Sequence, residues 1–127
     1  MLVSFFLTGA VLAGIGISLI SLFACKHFYR LRIEQELTDL LGREQYQFTI
    51  IDVRDSQDFE QSHIERARNM PFSRTSDFFP SENMFERIIV FGPSDKAARA
   101  AARRISMNGY FNVSSYGAYR HWKGSKS

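Results

Sequence analysis

Cysteine is nearly absent. The only one among 127 residues is Cys25, so no internal disulfide and no cysteine-based zinc site can form. A lone thiol suits a reducing or an oxidising compartment equally and leaves that question open. Charge is missing from the whole stretch before Lys26, because all 16 basic and 13 acidic residues lie between Lys26 and Lys126. The histidines, His27, His63 and His121, stand far apart without ligand-like spacing, which argues against a metal site. No Gly-x-Ser-x-Gly elbow and no Cys–His pair offers an activated nucleophile. Internal repeats and low-complexity tracts are lacking too. A net charge of +3 is too mild to call for nucleic acid as a partner. About 100 residues follow the uncharged stretch, sufficient for one core without disulfides.

What is present begins with "LVSFFLTGAVLAGIGISLISLFAC", 24 residues without charge. As a helix it is roughly 36 Å long at about 1.5 Å per residue, enough to cross a hydrocarbon core of about 30 Å. Three readings compete. A cleaved signal peptide wants a basic start and a small-x-small cleavage site, and neither is present. "LFAC" resembles the lipobox of a bacterial lipoprotein, yet Phe23 is bulky for its position and the basic start is again missing. A permanent transmembrane anchor over residues 1–25, held in the lipid bilayer, meets the criteria best. Lys26, Arg30 and Arg32 follow in a basic juxtamembrane segment, 26–32. Basic flanks stay on the side where insertion begins. The expected topology is therefore single-pass, with the amino terminus outside and the remaining domain on the cytoplasmic or matrix side of a plasma or inner membrane. Ala10, Gly14 and Ser18 recur every four residues, with Gly9 and Ala13 on an adjoining stripe. Small residues at that spacing let a partner helix pack closely, although glycine and alanine are also simply common in membrane helices. "GIGISL" lacks the third glycine of a dinucleotide loop and sits inside an apolar run, so that reading is rejected.

Further along, "FYRLRIEQELTDLLG" reads as a helix that stops at Gly42. "FTIIDV" reads as a buried strand, and "DSQDFEQ" as a short helix with Asp55 at its amino-cap. "IERARNMPF" reads as a loop, followed by a polar, phenylalanine-rich segment with one helical turn. A strand is expected over Arg87–Phe91, a helix from Ser94 to Met107 stopped by Gly109, and a strand over Tyr110–Ser114. Strands alternating with helices predict an α/β fold with a mostly parallel sheet.

These segments resemble the rhodanese-like domain family. "IIDVRDSQDFEQSHIERARNMPF" is similar to its first signature, matching at Asp52, Arg54, Phe59, His63, Ile64, Ala67, Asn69 and Pro71, with Ser62 in place of a glycine. "IIVFGPSDKAARAAARRISMNGYFNVSSYGAYRHWKG" is similar to the second, matching at Gly109, Tyr110, Asn112, Val113, Gly117 and Trp122, with Ala118 replacing a second glycine. The implied organisation is an anchor over 1–25, the basic segment 26–32, a rhodanese-like domain over 33–124 with a central sheet flanked by helices, and a tail of 125–127.

The resemblance also implies where chemistry would be. Active members end the corresponding strand in a cysteine, around which a six-residue loop curls its N–H groups to stabilise a thiolate and then a persulfide. Here that position is Gly92, followed by Pro93, Ser94, Asp95, Lys96 and Ala97. No sulfur is available, Pro93 removes a donor, Asp95 brings negative charge, and Ala97 replaces a frequent basic residue. The loop is expected to be degenerate, with no catalytic residue and no cofactor. A helix start with Ser94 and Lys96 suits an anion; the competing reading, which we favour, is that Ser94 or Asp95 caps the helix internally. His63 is expected to be a hydrogen-bonded loop residue, and Asp52 with Arg54 a structural ion pair or cap.

A partner surface has two candidate parts. Lys96, Arg99, Arg103 and Arg104 share one side of the helix after Gly92, opposite Ala98, Ala101, Ala102 and Ile105. "FSRTSDFFPSENMF" carries Phe78, Phe79 and Phe85 beside polar groups, which suits an interface. A solvated helix face and core-filling phenylalanines are the plainer alternatives. Two functions follow as expectations. The first is a non-catalytic, membrane-anchored module that binds a membrane protein as an accessory subunit or scaffold. The second is a thiosulfate- or persulfide-dependent sulfurtransferase with an atypical loop.

Overall fold

Two apolar, β-branched runs make the middle of the fold. FTIID forms β1 (Phe48–Asp52) and RIIVFG forms β3 (Arg87–Gly92), and they pair in parallel with Ile50 opposite Ile89. A parallel pair needs a long crossover, and the intervening chain supplies α2 (Ser56–Gln61), β2 (Ala67–Asn69) and a 3-10 helix (Phe72–Asp77). After β3 come α3 (Asp95–Met107), β4 (Val113–Ala118) and a 3-10 turn (Tyr119–His121). The sheet is entirely parallel, in the order β2-β1-β3-β4. The computed structural model describes residues 2–43, 45, 47–77 and 79–127, with side chains from residue 13 onward except 75–77. These fall into two compact units, Met1–Arg32 and Ile33–Ser127.

The first unit is helical, within a helix α1 that runs Leu2–Leu41. Ile15, Ile17, Leu19, Ile20, Leu22 and Phe23 are all exposed on it, Phe23 at 77%. Among the described residues no helix is long and apolar enough to cross a membrane. The described side chains of the uncharged run extend from Ala13 to Cys25, roughly 20 Å of helix.

In the second unit the sheet is covered on both faces, because successive strand residues point to opposite sides. On one face Phe48, Ile50, Ile89, Phe91 and Tyr116 pack with Ile33 and Leu37 of α1, Ile64 and Trp122. Phe91 and Tyr116 stack at 4.4 Å between centroids, and Trp122 meets both edge-on at 5.9 Å. On the other face Ile51, Val53, Ile88 and Val90 pack under Ala101, Ala102 and Ile105 of α3 and Tyr110. The alanines let α3 lie close to the sheet, as their spacing predicts.

Three segments depart from expectation. "IERARNMPF" contains β2, whose residues Ala67, Arg68 and Asn69 pair with Ile50, Ile51 and Asp52. Three residues without alternation carry no strand signal of their own; the partner imposes the conformation. β4 begins at Val113 rather than Tyr110, because Gly109 takes a φ of +106° and the chain straightens only beyond it. Ser125–Ser127, expected to be a tail, bond to His63 and Glu65 in an antiparallel bridge centred on Ile64 and Lys126. Asp55 stands at the amino-cap of α2, but its side chain makes no cap bond.

Candidate functional site

β3 ends at Gly92, and only Pro93 and Ser94 separate it from α3. Asp95, Lys96 and Ala97, which the resemblance counts in the loop and the local pattern counts in the helix, form the first turn of the helix. Ser94 sets this start: its backbone is extended, its Oγ accepts the Ala97 N–H at 3.1 Å, and its carbonyl accepts the Ala98 N–H at 3.1 Å. The first of these bonds satisfies one N–H that a helix start leaves without a partner, and the second is the first ordinary bond of the helix. Ser94 is the cap.

Asp95 has a different partner. Its Oδ1 accepts the N–H of Ala118, the last residue of β4, at 2.8 Å. A carboxylate in the first turn also suits the positive end of the helix dipole. Gly117 has a φ of +114°, and a Cβ there would run into the Asp95 carboxylate, so this position takes glycine for two reasons. Gly92 is buried, and a Cβ on it would stand 3.0 Å from the Ala98 nitrogen, 3.2 Å from its Cα and 3.3 Å from its Cβ. A side chain here points at the start of α3, as a nucleophile served by helix N–H groups would have to do. To admit one, Ala98 would have to give way by a few tenths of an ångström.

The carboxyl ends of parallel strands are where such sheets hold ligands. Asp52 pairs with Phe91, and Gly92 with Ala118, so three strand ends meet at this edge. Beside β1 the edge is filled by a polar latch. Asp52 is fully buried and accepts from Arg54 Nε at 3.0 Å and from a terminal guanidinium nitrogen at 2.8 Å. The same nitrogen donates to the Ser62 carbonyl at 2.7 Å, and the guanidinium lies 3.6 Å from the Tyr119 ring centroid. The Tyr119 hydroxyl and Ser62 Oγ are 2.7 Å apart, and Asn69 Nδ2 donates to the carbonyls of Asp52 and Arg54 at 3.1 and 2.9 Å. The Arg54 side chain is only 10% exposed. This pair is structural. Ser62 and Tyr119 are the partners sequence reasoning misses, because they come from elements far apart in the chain.

His63 sits where expected, its Nδ1 2.9 Å from the Phe59 carbonyl and its ring stacked on Phe59 at 4.0 Å. Among the described residues no three His, Cys, Asp or Glu side chains gather to hold a metal ion. A surface depression is lined by Glu34, Gln35, Thr38, Asp39, Gly42 and Arg43, and no residue of the β3–α3 junction reaches it.

The candidate partner residues separate. Lys96, Arg99 and Arg103 are exposed. Arg104 is turned aside: it donates to the Phe72 carbonyl at 3.1 Å and lies 4.1 Å from the Phe72 ring centroid. Phe79 is 62% and Phe85 71% exposed, and Phe85 stacks at 5.2 Å on Phe111, which is 75% exposed. Phe111 was not singled out by sequence; only the fold brings it to Phe85. Phe78 lies outside the described residues. On α1, Ala13, Gly14 and Ser18 are exposed, with open space where a Cβ at Gly14 would stand. The side-chain positions of Gly9 and Ala10 lie outside those described.

Residues 34–125 match the family model of the Rhodanese-like domain. The chain is similar to the structure of the Alr3790 protein from Anabaena sp., at 27% identity over 74% of this chain and 88% of that one, with a TM-score of 0.67. A separate structure of the rhodanese-like domain of Alr3790 is 29% identical over 64% of this chain and 99% of that one, at 0.59. The human single-domain sulfurtransferase TSTD1 shares the fold, at 24% identity, 72% and 94% coverage and a TM-score of 0.61. A comparison with curated protein sequences finds no match to this chain.

Proposed function

The chain belongs to the rhodanese-like domain family, and from that premise we propose that it is a non-catalytic, membrane-anchored member that works by binding a partner protein in the membrane. The observation that carries the first half is Gly92. The resemblance puts the sulfur nucleophile at this place, and here the residue has no side chain and a tight approach of Ala98 where one would begin. The Ala97 N–H, one of those that would steady an anion, is taken by Ser94 Oγ, and the carboxylate of Asp95 occupies the junction. A sulfurtransferase needs a thiolate to take the sulfane sulfur as a persulfide, and the chain's only thiol is Cys25.

The second half rests on the uncharged run 2–25 and on its helical conformation. Its described large apolar side chains, Ile15 to Phe23, are exposed around more than half of the helix circumference. A helix apolar all round belongs inside a protein core or a bilayer. The basic flank of Lys26, Arg30 and Arg32 supports a cytoplasmic or matrix side for the domain. Purified full-length protein incubated with thiosulfate and cyanide tests the first half. No thiocyanate above buffer and no mass increase of one sulfur is the expected result. Turnover that disappears with a Cys25→Ser substitution would reverse the proposal in favour of the sulfurtransferase.

A further inference from the structure

Charge is segregated along this chain. Every acidic residue lies at or before Asp95, and from Lys96 to Ser127 seven basic side chains stand without one acidic residue. Three of the seven, Lys96, Arg99 and Arg103, point outward from α3 and take part in no ion pair among the described residues. At 3.6 residues per turn they fall with Met107 inside an arc of about 80°. The row is roughly 16 Å long and is cationic until its last member. Met107 is 79% exposed, and just beyond it Phe111 and Phe85 stack on each other at the amino-terminal edge of the sheet. The Phe111 N–H donates to the Met84 carbonyl at 2.9 Å, which fixes the two segments together. Next to them the Tyr110 hydroxyl donates to the Ser81 carbonyl at 2.6 Å and accepts its N–H at 3.3 Å, tying down the segment that bears Phe79.

We infer that this face, from Lys96 to the Phe85–Phe111 pair, docks an acidic segment of a partner protein that ends in an apolar anchor. Carboxylates would lie along Lys96, Arg99 and Arg103, and the anchor would cover Met107 and the two rings. The inference rests on the non-catalytic binding role proposed above and says where that binding happens. Charge complementarity favours an acidic occupant, because these cations have no ion-pair partner among the described residues. Two arguments favour a protein over a lipid surface. Recognition of anionic headgroups takes clusters of about four to eight basic residues, and this row has three. Phenylalanine, methionine and arginine are the residues enriched in protein interfaces.

The test is photo-crosslinking of the full chain in its own cells, with p-benzoylphenylalanine in place of Met107 or Phe111. The same group in place of the exposed Gln57 on α2 reports the opposite side of the sequence's charge division. Expected is an adduct from 107 and 111 to one other protein, with the crosslinked peptide mapping to a segment that carries several Asp or Glu residues. The doubly substituted chain R99E/R103E should lower its yield about tenfold at equal abundance, since like charges then face each other. Adducts to lipid only, to a second copy of this chain, or to a peptide without acidic residues would overturn the inference. A protein adduct from Gln57 alone would overturn it while leaving the binding role intact. No protein adduct from any of the three sites would overturn both.

Discussion

A cysteine restored at position 92 puts the packing argument at risk. Gly92→Cys adds a Cβ at 3.0–3.3 Å from the backbone and side chain of Ala98, with Sγ beyond it. Carbon contacts are comfortable at about 3.5–4.0 Å, so the start of α3 must retreat by several tenths of an ångström. It cannot do so freely, because Ala98, Ala101 and Ile105 are fully buried against the sheet. Overpacking of this kind costs about 1–3 kcal/mol. For a unit of about 95 residues, Ile33–Ser127, each kcal/mol lowers the melting temperature by about 4–8 °C. Gly92→Cys and Gly92→Ala should therefore melt lower by similar amounts, since they share the offending atom. Thermal melts of the full chain in one detergent, beside a thiosulfate:cyanide assay, measure both consequences. The thiol should not turn over, because the Ala97 N–H is already bound to Ser94 Oγ and the Asp95 carboxylate stands at the junction. If Gly92→Cys melts with the parent and transfers sulfur, the junction is a working cradle that lacks only its nucleophile, and the reasoning fails.

Other outcomes follow from the same geometry. Arg54→Met should destabilise the fold by about 3–5 kcal/mol in denaturant titrations, because it strands the fully buried Asp52 carboxylate. Ser94→Ala should cost about 1 kcal/mol through loss of the cap to Ala97, read from the same titrations. Ser115→Ala should leave stability unchanged or raise it by up to about 1 kcal/mol, since the Ser115 Oγ is buried without a partner among the described residues; a clear loss of stability would refute this. Gly14→Leu should abolish co-purification of the membrane partner at equal membrane abundance if the small-residue stripe is a packing seam, and equal recovery would remove the stripe from the argument. A reporter fused after Ser127 should behave as cytoplasmic or matrix-facing.

The parts of this structure that declare themselves in sequence are those decided locally. FTIID and RIIVFG announce strands because both faces of each are buried and filled with isoleucine, valine and phenylalanine. The alanine face of α3 follows from its spacing, and Ser94 from its cap chemistry. What stayed hidden depends on distant segments meeting. Arg68 in the middle of β2 looks like loop until Ile51 pairs with it. Ser114, Ser115 and Gly117 have weak strand preference, so local pattern alone sets β4 too early; β3 holds it straight through a register shift at Val90 and Phe91. At the site, the position of Gly92 was readable from motif spacing. The approach of Ala98 and the bond from Asp95 to Ala118 were not, since they need β3, β4 and α3 assembled.

The all-parallel strand order also governs how the chain reaches its native state. No two neighbouring strands are joined by a hairpin, so no pair can form from a short local turn. β1 must wait for residues 67 and 89, and β3 for residue 113, before its partners exist. Loop-closure entropy makes bringing residue 50 to residue 89 only about 0.7 kcal/mol costlier than bringing it to residue 67. Contact order, more than stability, therefore sets the pace, and refolding should be slow beside a helical bundle of equal size. During that interval RIIVFG is an uncovered hydrophobic edge and a point of entry for aggregation. A chaperone or a short residence at low concentration will matter more to recovering this protein than any gain in its equilibrium stability.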